Sequence, residues 1–186
     1  LMQAVWGSHV LSIDTSVYNF ITKHFISDTL TPILKVITQF GGTILMIVWA
    51  IASLVLITNK RIAVSVVSNL VLIALLNNIL KLIVRRARPT GFRLVEETGY
   101  SFPSGHSMVS MAFYGYLIYL IYKNVKNKKL RWTLMACFSL LIFIIGMSRI
   151  YLGVHYTSDV FAGFLFSLGY LVVYIKFTDP IVFQKK

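Results

Sequence analysis

The sequence predicts an all-α integral membrane protein, and three observations support that prediction. Of the 186 residues, 57% are hydrophobic and only 13% are charged, whereas an ordinary soluble domain is about 45–50% apolar and about 25% charged. The mean hydropathy is +0.76. Several apolar runs approach the length of about 20 residues that a helix needs to cross a bilayer. The chain length suits a single domain over residues 1–186.

Five apolar runs are the candidates for membrane-spanning helices. One of them extends from about Gly41 to Thr58. It can begin earlier, because Thr31 and Pro32 are suited to be the cap and the first residue of a helix. The other four are Ile62–Val84, Met108–Tyr122 with an N-terminal extension, Trp132–Ile150 and Val160–Ile175.

Two shorter segments precede these runs. Leu1–Val10 is apolar but too short to span, and we interpret it as the tail of a truncated first span. With that span the chain would form a six-helix bundle. Ser16–Phe25 places four residues at helical spacing, namely Val17, Phe20, Ile21 and His24. This indicates a short helix lying in the membrane interface.

The distribution of charge predicts the orientation in the membrane. The net charge is +12, from 18 basic and 6 acidic residues. A chain this basic could bind nucleic acid, but its bases lie between apolar runs, so we predict membrane lipids as partners and no nucleic acid. Cytoplasmic loops collect Lys and Arg, and ten of the 18 bases lie on one predicted side: Lys60, Arg61, Lys123, Lys126, Lys128, Lys129, Arg131, Lys176, Lys185 and Lys186.

The segments 85–104 and 151–158 are then predicted to face outward. Four arginines of the first segment contradict the usual charge asymmetry, namely Arg85, Arg86, Arg88 and Arg93. Clustered cations on the outer side need a reason, and anion binding would supply one. The sequence leaves the oligomeric state open.

The first candidate motif extends from Lys81 to Pro89. Lys81 and Arg88 are seven residues apart, which would place them on one helix face, two turns apart. Pro89 disfavours helical geometry at Arg88, so the helix is expected to end there. Two cations on one face suit an anion. The alternative interpretation is a basic cluster that ends a span and reaches towards lipid headgroups.

The second candidate motif, Phe102–Ser107, precedes an apolar helix. Ser104 is suited to be the N-cap, and Gly105 allows a ligand to approach the backbone. The free N–H groups at the start of a helix bind anions, and His106 would stand beside such an anion. The alternative is an ordinary capped helix with a histidine at the interface.

The third candidate motif contains Arg149, His155 and Asp159. His155 and Asp159 are four residues apart, so in a helix they would share a face, and the carboxylate could hold one imidazole nitrogen. The other nitrogen would remain as a base or nucleophile. Arg149 adds a third cation near the same level. The alternative is a structural His–Asp cap.

All three motifs fall at the outward ends of predicted helices, so they are expected to converge on one site. Phosphoryl transfer needs mainly positioning and charge stabilisation. One dianionic phosphate could be bound by the side chains and backbone amides of Lys81, Arg88, Arg149, Ser104 and Gly105. Two-metal phosphatases need several clustered carboxylates, and of the six acids only Asp159 belongs to the motifs. We therefore predict no metal, no cofactor and a phosphohistidine intermediate.

These motifs resemble the signature of the type-2 phosphatidic acid phosphatase superfamily. That signature is Lys-x6-Arg-Pro, then Pro-Ser-Gly-His, then Ser-Arg-x5-His-x3-Asp, and the resemblance covers roughly residues 40–178. It matches at every position, through Lys81, Arg88, Pro89, Pro103, Ser104, Gly105, His106, Ser148, Arg149, His155 and Asp159.

The resemblance implies a six-helix membrane core with its site at the outer face. It implies that His155 attacks phosphorus, that Asp159 orients His155, and that His106 protonates the leaving alcohol. It implies phosphate binding by Lys81, Arg88, Ser104, Gly105 and Arg149. The short chain is similar to bacterial members, which implies a multi-pass protein of the plasma membrane.

Three functions remain open at this point. The first is hydrolysis of a lipid phosphate such as phosphatidylglycerophosphate, phosphatidic acid or undecaprenyl pyrophosphate. The second is a lipid phosphotransferase that passes the phosphoryl group to an acceptor other than water. The third is an anion channel or transporter, but transporters often have paired repeats or broken helices at the midplane, whereas these motifs occur once each, at helix ends.

Overall fold

The regular structure of the protein is helical throughout the part of the chain that the computed structural model describes, residues 10–183. No strand occurs within that range. Seven helices follow one another there: α1 (Ser12–His24), α2 (Leu30–Gln39), α3 (Thr43–Leu56), α4 (Lys60–Val84), α5 (Gly105–Asn124), α6 (Lys128–Tyr151) and α7 (Thr157–Val182). The all-α membrane fold class predicted from composition is confirmed. The predicted truncated span at Leu1–Val10 lies, apart from its last residue, outside the described residues.

Three of the described helices are long and apolar enough to cross a membrane, namely α4, α6 and α7. The pair α2 and α3 would count as a fourth span, bent by 44°. The predicted run from Gly41 to Thr58 therefore corresponds to α3, and α2 precedes it across a break. Helix α2 begins at Leu30, slightly before the predicted cap at Thr31.

Helix α5 contains the predicted span Met108–Tyr122 but does not meet the same length and composition criteria. It packs against α4, α6 and α7, and it is the central helix of the bundle. Its buried residues include serines and tyrosines beside apolar side chains. Small and hydrogen-bonding residues allow close helix packing within a membrane, so a central helix can be less apolar than its neighbours, which face lipid.

Helix α1 corresponds to the predicted interfacial helix, although it begins at Ser12 rather than Ser16. One face, with Asp14 and Ile21, is buried against α6 and α7. The opposite face exposes apolar side chains, including Ile13 and Phe20. Helix α1 therefore packs on α6 and α7 through one face and leaves apolar side chains exposed on another.

Candidate active site

The segment that follows α4 does not continue the helix as predicted. Arg85 adopts a left-handed conformation with φ of 50° and ends the helix there, so Arg88 lies in the following loop. The prediction that Lys81 and Arg88 share a helix face is therefore wrong. The loop folds back over the bundle instead, and its backbone is fixed by hydrogen bonds from Ser101 N to Arg86 O (2.8 Å) and from Leu94 N to Leu152 O (3.0 Å).

The connection between α6 and α7 carries the third motif. His155 precedes α7, and Asp159 lies in the first turn of that helix. The prediction that the two residues share a helix face is therefore wrong. The Asp159 carboxylate turns back and accepts a hydrogen bond from Tyr156 N (2.9 Å). Gly153 is required in this connection because its φ is +72° and a Cβ atom would lie 2.2 Å from Phe92 O.

The imidazole of His155 lies between the Asp159 carboxylate and the Arg88 guanidinium. Its Nδ1 is 3.6 Å from Asp159 Oδ2, and the Ser101 hydroxyl donates to the same carboxylate oxygen (2.5 Å). On the other side, Arg88 Nη1 is 3.2 Å from His155 Nε2. A guanidinium only donates hydrogen bonds, so Nε2 is the acceptor, and the ring proton resides on Nδ1, towards Asp159.

The environment of His155 favours its neutral form. Burial lowers the pKa of the imidazole to about 4, although the neighbouring Asp159 carboxylate acts in the opposite direction. The cations Arg88 and Arg149 also lower the pKa. A histidine that is neutral at pH 7 has an unprotonated nitrogen available for nucleophilic attack.

Three cations surround the site, and much of their hydrogen bonding goes to neutral oxygens. Lys81 Nζ donates to Tyr100 O (2.7 Å). Arg88 donates to the carbonyl oxygens of Val154, Thr98 and Gly99. A dianionic phosphate is a stronger acceptor than a carbonyl oxygen, so it could compete for these donors.

The third cation is bonded differently. Arg149 Nη1 donates to the Thr38 hydroxyl (3.0 Å), and Arg149 Nη2 forms an ion pair with the Glu97 carboxylate. The Nε of Arg149 is buried and has no hydrogen-bond partner among the described residues. Glu97 also approaches Arg88, with 3.9 Å between Oε2 and Nη2. An acidic side chain thus stands between two of the predicted phosphate-binding cations.

A cavity of about 750 Å³ opens beside His155. Its polar end includes five of the eight predicted site residues: Lys81, Arg88, Gly105, His106 and His155. Its other wall is apolar and is formed by α3 and α4, through Met46, Ile47, Ala50, Val67, Leu70, Val71 and Ala74. Arg149 and Asp159 do not line the cavity but reach it through their contacts with Glu97 and His155.

Ser104 is placed differently from the prediction. It is the N-cap position of α5, as expected, but its side chain makes no capping hydrogen bond. Its backbone N–H donates to Asp159 O (3.1 Å), so that amide is not free for an anion. Its hydroxyl is buried and accepts from Ser107 Oγ (3.0 Å). Ser104 therefore joins the start of α5 to that of α7.

Sequence reasoning missed the residues that hold Asp159. Arg86 donates from Nη1 to Asp159 Oδ1 (2.5 Å) and from Nη2 to Asp14 Oδ2 (2.9 Å). The sequence did offer a signal for Arg86, because this residue belongs to the arginine cluster of the segment predicted to face outward. Asp14 had none, because it is a single acid 72 residues before its partner. Ser101 and Glu97 also lie outside the three motifs.

The described residues include no group of three His, Cys, Asp or Glu side chains able to hold a metal ion. The arrangement consists of a buried neutral histidine, a carboxylate on one of its nitrogens, and cations with a cavity on the other. These groups sit at one end of a bundle of membrane helices. Fold and site together define a helical membrane protein with a histidine-centred site for an anionic ligand.

The chain belongs to the PAP2 superfamily, whose model matches residues 62–182. It is 40% identical over 105 residues to phosphatidylglycerophosphatase B of Bacillus subtilis, covering 54% of this chain and 49% of that protein. It is 26% identical over 188 residues to an undecaprenyl-diphosphatase of Sulfolobus acidocaldarius, covering 97% of this chain and 86% of the relative. The chain thus spans about half the length of the first relative and most of the second.

Two solved structures share the fold. A transmembrane PAP2-type phosphatidylglycerolphosphate phosphatase from Bacillus subtilis has a TM-score of 0.80 at 24% identity, over 98% of this chain and 94% of that one. LpxE of Aquifex aeolicus has a TM-score of 0.72 at 22% identity, over 89% of this chain and 96% of that one. The family predicted from the three motifs is confirmed.

Proposed function

We propose that this protein is a lipid phosphatase that hydrolyses a phosphate monoester or pyrophosphate lipid. The observation that carries the proposal is the two-part cavity. Cations and His155 form one end, and apolar side chains of α3 and α4 form the rest. A ligand that joins a phosphate to a hydrocarbon chain fits both parts. The names of the relatives suggest phosphatidylglycerophosphate and undecaprenyl pyrophosphate as substrates, and phosphatidic acid shares the same chemistry.

In the proposed reaction His155 Nε2 attacks phosphorus and forms a P–N bond, while the P–O bond to the lipid breaks. The Nδ1 proton stays on the ring and faces Asp159, whose carboxylate stabilises the positive charge of the phosphorylated imidazole. This role is supported by the 3.6 Å separation of Nδ1 and Oδ2. His106, which lines the same cavity, would protonate the departing lipid oxygen.

The second half of the reaction returns the enzyme to its starting state. Water attacks phosphorus, His106 accepts a proton from that water, and the P–N bond breaks. Phosphate then leaves. No metal ion or cofactor takes part, since cations of the chain would neutralise the charge that develops on the phosphoryl oxygens.

The proposed phosphate-binding groups are the side chains of Lys81, Arg88 and Arg149 and the backbone amide at Gly105. Arg149 would supply its Nε, which is buried without a partner, once Glu97 gives way. Ser104 would act indirectly, because its amide is bonded to Asp159 O. It would place Gly105 and His106 at the start of α5 relative to His155.

Phosphate release from pure lipids tests the proposal. The purified wild-type protein is expected to release phosphate from at least one of phosphatidylglycerophosphate, phosphatidic acid and undecaprenyl pyrophosphate, and His155→Ala from none. Release without any added acceptor would exclude an obligate phosphotransferase. Vanadate, which adopts the trigonal-bipyramidal shape of the transferring phosphoryl group, should inhibit. Activity that disappears with EDTA and returns with Mg²⁺ would contradict the mechanism.

We further propose that the site faces outward in a plasma membrane of bacterial type. The support is the accumulation of ten bases on the opposite side of the predicted spans. Cysteines introduced into a Cys137→Ser background test this in intact cells, with Glu96 and Lys126 as the exposed positions on the two sides. An impermeant thiol reagent should label Glu96→Cys and not Lys126→Cys. The opposite labelling would place the site in the cytoplasm.

A further inference from the structure

Asp14 is a buried carboxylate far from the three motifs. It lies on α1, its exposed fraction is 2%, and both of its oxygens are bonded. Oδ1 accepts from Ser158 N (2.8 Å), and Oδ2 accepts from the Ser158 hydroxyl (2.9 Å) and from Leu11 N (3.2 Å). Asp14 lies outside residues 62–182, which the family model matches. A carboxylate buried this completely is costly unless it is paired.

Arg86 is the cationic partner of Asp14, and it also forms an ion pair with Asp159 beside His155. Its exposed fraction is 1%. Its guanidinium bridges Asp14 Oδ2 (2.9 Å) and Asp159 Oδ1 (2.5 Å). Arg86 Nη1 also donates a hydrogen bond to Ser158 Oγ (2.8 Å). The guanidinium carbon lies over the Tyr156 ring, 4.2 Å from the ring centroid. A planar guanidinium holds its partners in fixed directions. The position of Arg86 therefore sets the orientation of the Asp159 carboxylate.

The orientation of Asp159 matters because its two oxygens have different tasks. Oδ1 is bound by Arg86, whereas Oδ2 faces His155 Nδ1 and is held by Ser101 and by the backbone N–H of Tyr156. If Arg86 could rotate, the carboxylate could rotate with it, and Oδ2 would lose its alignment with the ring.

The charge of the network matters as well. One arginine lies between two carboxylates, so Asp14, Arg86 and Asp159 together keep one negative charge beside His155. Without the charge of Asp14, Arg86 would neutralise Asp159 alone. The group next to the ring would then have no net charge with which to stabilise a phosphorylated, cationic imidazole. In a buried site the effective dielectric constant is low, so this difference in charge has a large effect on the electrostatic energy of the imidazole.

We infer that Asp14 is a positioning residue for phosphoryl transfer, which acts through Arg86 on the orientation and effective charge of Asp159. The inference rests on the proposed function. A helix that precedes the family signature would thereby contribute to the reaction at His155 without touching substrate. Asp14 should consequently affect the rate of the chemical step rather than the binding of the lipid.

The test compares Asp14→Asn with Asp28→Asn, using phosphatidic acid and p-nitrophenyl phosphate as substrates. Asparagine keeps the shape of Asp14 and removes its charge, and the Asp28 variant removes the same charge from an exposed position near α1. We expect Asp14→Asn to lower kcat about 10- to 100-fold, the range typical of groups that support a reactive centre through other residues. KM should stay within about twofold. Asp28→Asn should behave as wild type.

Rates are expressed per folded molecule, measured as the monodisperse fraction with the wild-type unfolding temperature. Wild-type kcat in folded Asp14→Asn would overturn the inference, since Asp14 would then only hold α1 in place. A rise in KM with unchanged kcat would also overturn it. If Asp14→Asn does not fold, Ser158→Ala decides, because its hydroxyl joins Asp14 to Arg86. A severalfold loss in kcat would support the inference, and wild-type kcat would overturn it.

A measurement without turnover separates this inference from the proposed function. The Nδ1–H resonance of His155 in ¹⁵N-histidine-labelled protein reports its contact with Asp159. It should shift in Asp14→Asn and stay unchanged in Asp28→Asn. An unshifted resonance would overturn the inference whether or not the protein is active. If the resonance shifts in Asp14→Asn but the wild-type protein releases no phosphate from any of the lipids, only the proposed function is contradicted.

Discussion

The two ring nitrogens of His155 face regions that are built in different ways. On the Nδ1 side, Asp159 is fully buried, and its carboxylate is bound by Arg86, Ser101 and the Tyr156 backbone. On the Nε2 side, Arg88 and Lys81 donate mostly to carbonyl oxygens at the edge of a cavity. The first region is held by charged pairs that have little reason to rearrange, and the second contains donors that a stronger acceptor can take over.

This difference suits the Nδ1 side to positioning His155 and the Nε2 side to binding a phosphate. The nucleophile proposed here needs one fixed orientation, and buried ion pairs can supply it, because breaking any pair leaves an uncompensated charge. A phosphate site must instead exchange its partners during each cycle. The following predictions examine the two regions in order of decreasing expected effect.

The first prediction compares the two histidines. His155→Ala should abolish turnover of every substrate, because the P–N bond cannot form. His106→Ala should lose about 10²–10⁴-fold on a lipid monoester, the usual value of general acid catalysis. It should lose much less on p-nitrophenyl phosphate, whose leaving group needs little protonation. A pyrophosphate lipid should fall between the two.

The measurement is kcat/KM for both variants with the three leaving groups. Equal losses on all three substrates, or rescue of His155→Ala by the good leaving group, would show that the roles are assigned wrongly. A histidine that only caps α5 would cause a loss independent of the leaving group.

The second prediction concerns the fork of Arg149. Arg149→Lys keeps the charge but cannot reproduce the planar pair of donors that now contact Thr38 and Glu97. We expect kcat/KM to fall about 10²-fold or more, as for loss of one preorganised donor to a developing anion. Arg131→Lys, at the other end of the same helix, is the matched control and should have little effect. Near-normal activity in Arg149→Lys would mean that Arg149 does not bind the phosphate.

The third prediction concerns Glu97, which forms an ion pair with Arg149 in the region of the cavity. Its side chain is 30% exposed, and partly exposed ion pairs contribute up to about 1 kcal/mol. Glu97→Gln should therefore lower the inhibition constants of vanadate and phosphate about two- to fivefold, because one competitor for Arg149 is removed. Glu96→Gln, at an exposed neighbouring position, should leave them unchanged. Weaker inhibition in Glu97→Gln would indicate that Glu97 instead holds Arg149 in its binding position.

The fourth prediction concerns the titration of His155. Burial lowers its pKa to about 4, below the ordinary value of about 6.5. A lowered pKa means that the neutral ring persists as the pH falls, so the His155 imidazole nitrogens should not titrate between pH 7 and pH 5. The ¹⁵N spectrum of labelled protein checks this, with the resonances assigned by their loss in His155→Ala. Protonation near pH 6.5 would show that the ring is more hydrated than the packing indicates.

Patterns along the chain were sufficient for the fold class and for the family. The apolar runs predicted the helices α3 to α7, because a hydrocarbon solvent requires long apolar segments with internally satisfied backbones. The order and spacing of the three motifs predicted the family. Five predicted site residues line one cavity: Lys81, Arg88, Gly105, His106 and His155. Their assigned roles in catalysis and phosphate binding stay predictions.

The geometry within the motifs could not be predicted in the same way. Spacing suggested that Lys81 and Arg88 share a helix face and that His155 and Asp159 do too. The left-handed backbone at Arg85 and the start of α7 at Thr157 place them otherwise. Asp159 still lies beside His155, with 3.6 Å between Oδ2 and Nδ1. Local spacing specifies a shared helix face only if the helix continues, and helix ends depend on the packing of the surrounding segments.

Composition and short-range order were therefore enough to predict a helical membrane protein, its main apolar helices and its family. The groups that hold His155 became visible in the tertiary structure alone. The contact of Asp14 with Arg86 spans 72 residues, and that of Arg149 with Thr38 spans 111. Such pairs leave no periodic or local trace in a single sequence. They arise because buried charges must find partners wherever the packed helices bring them together.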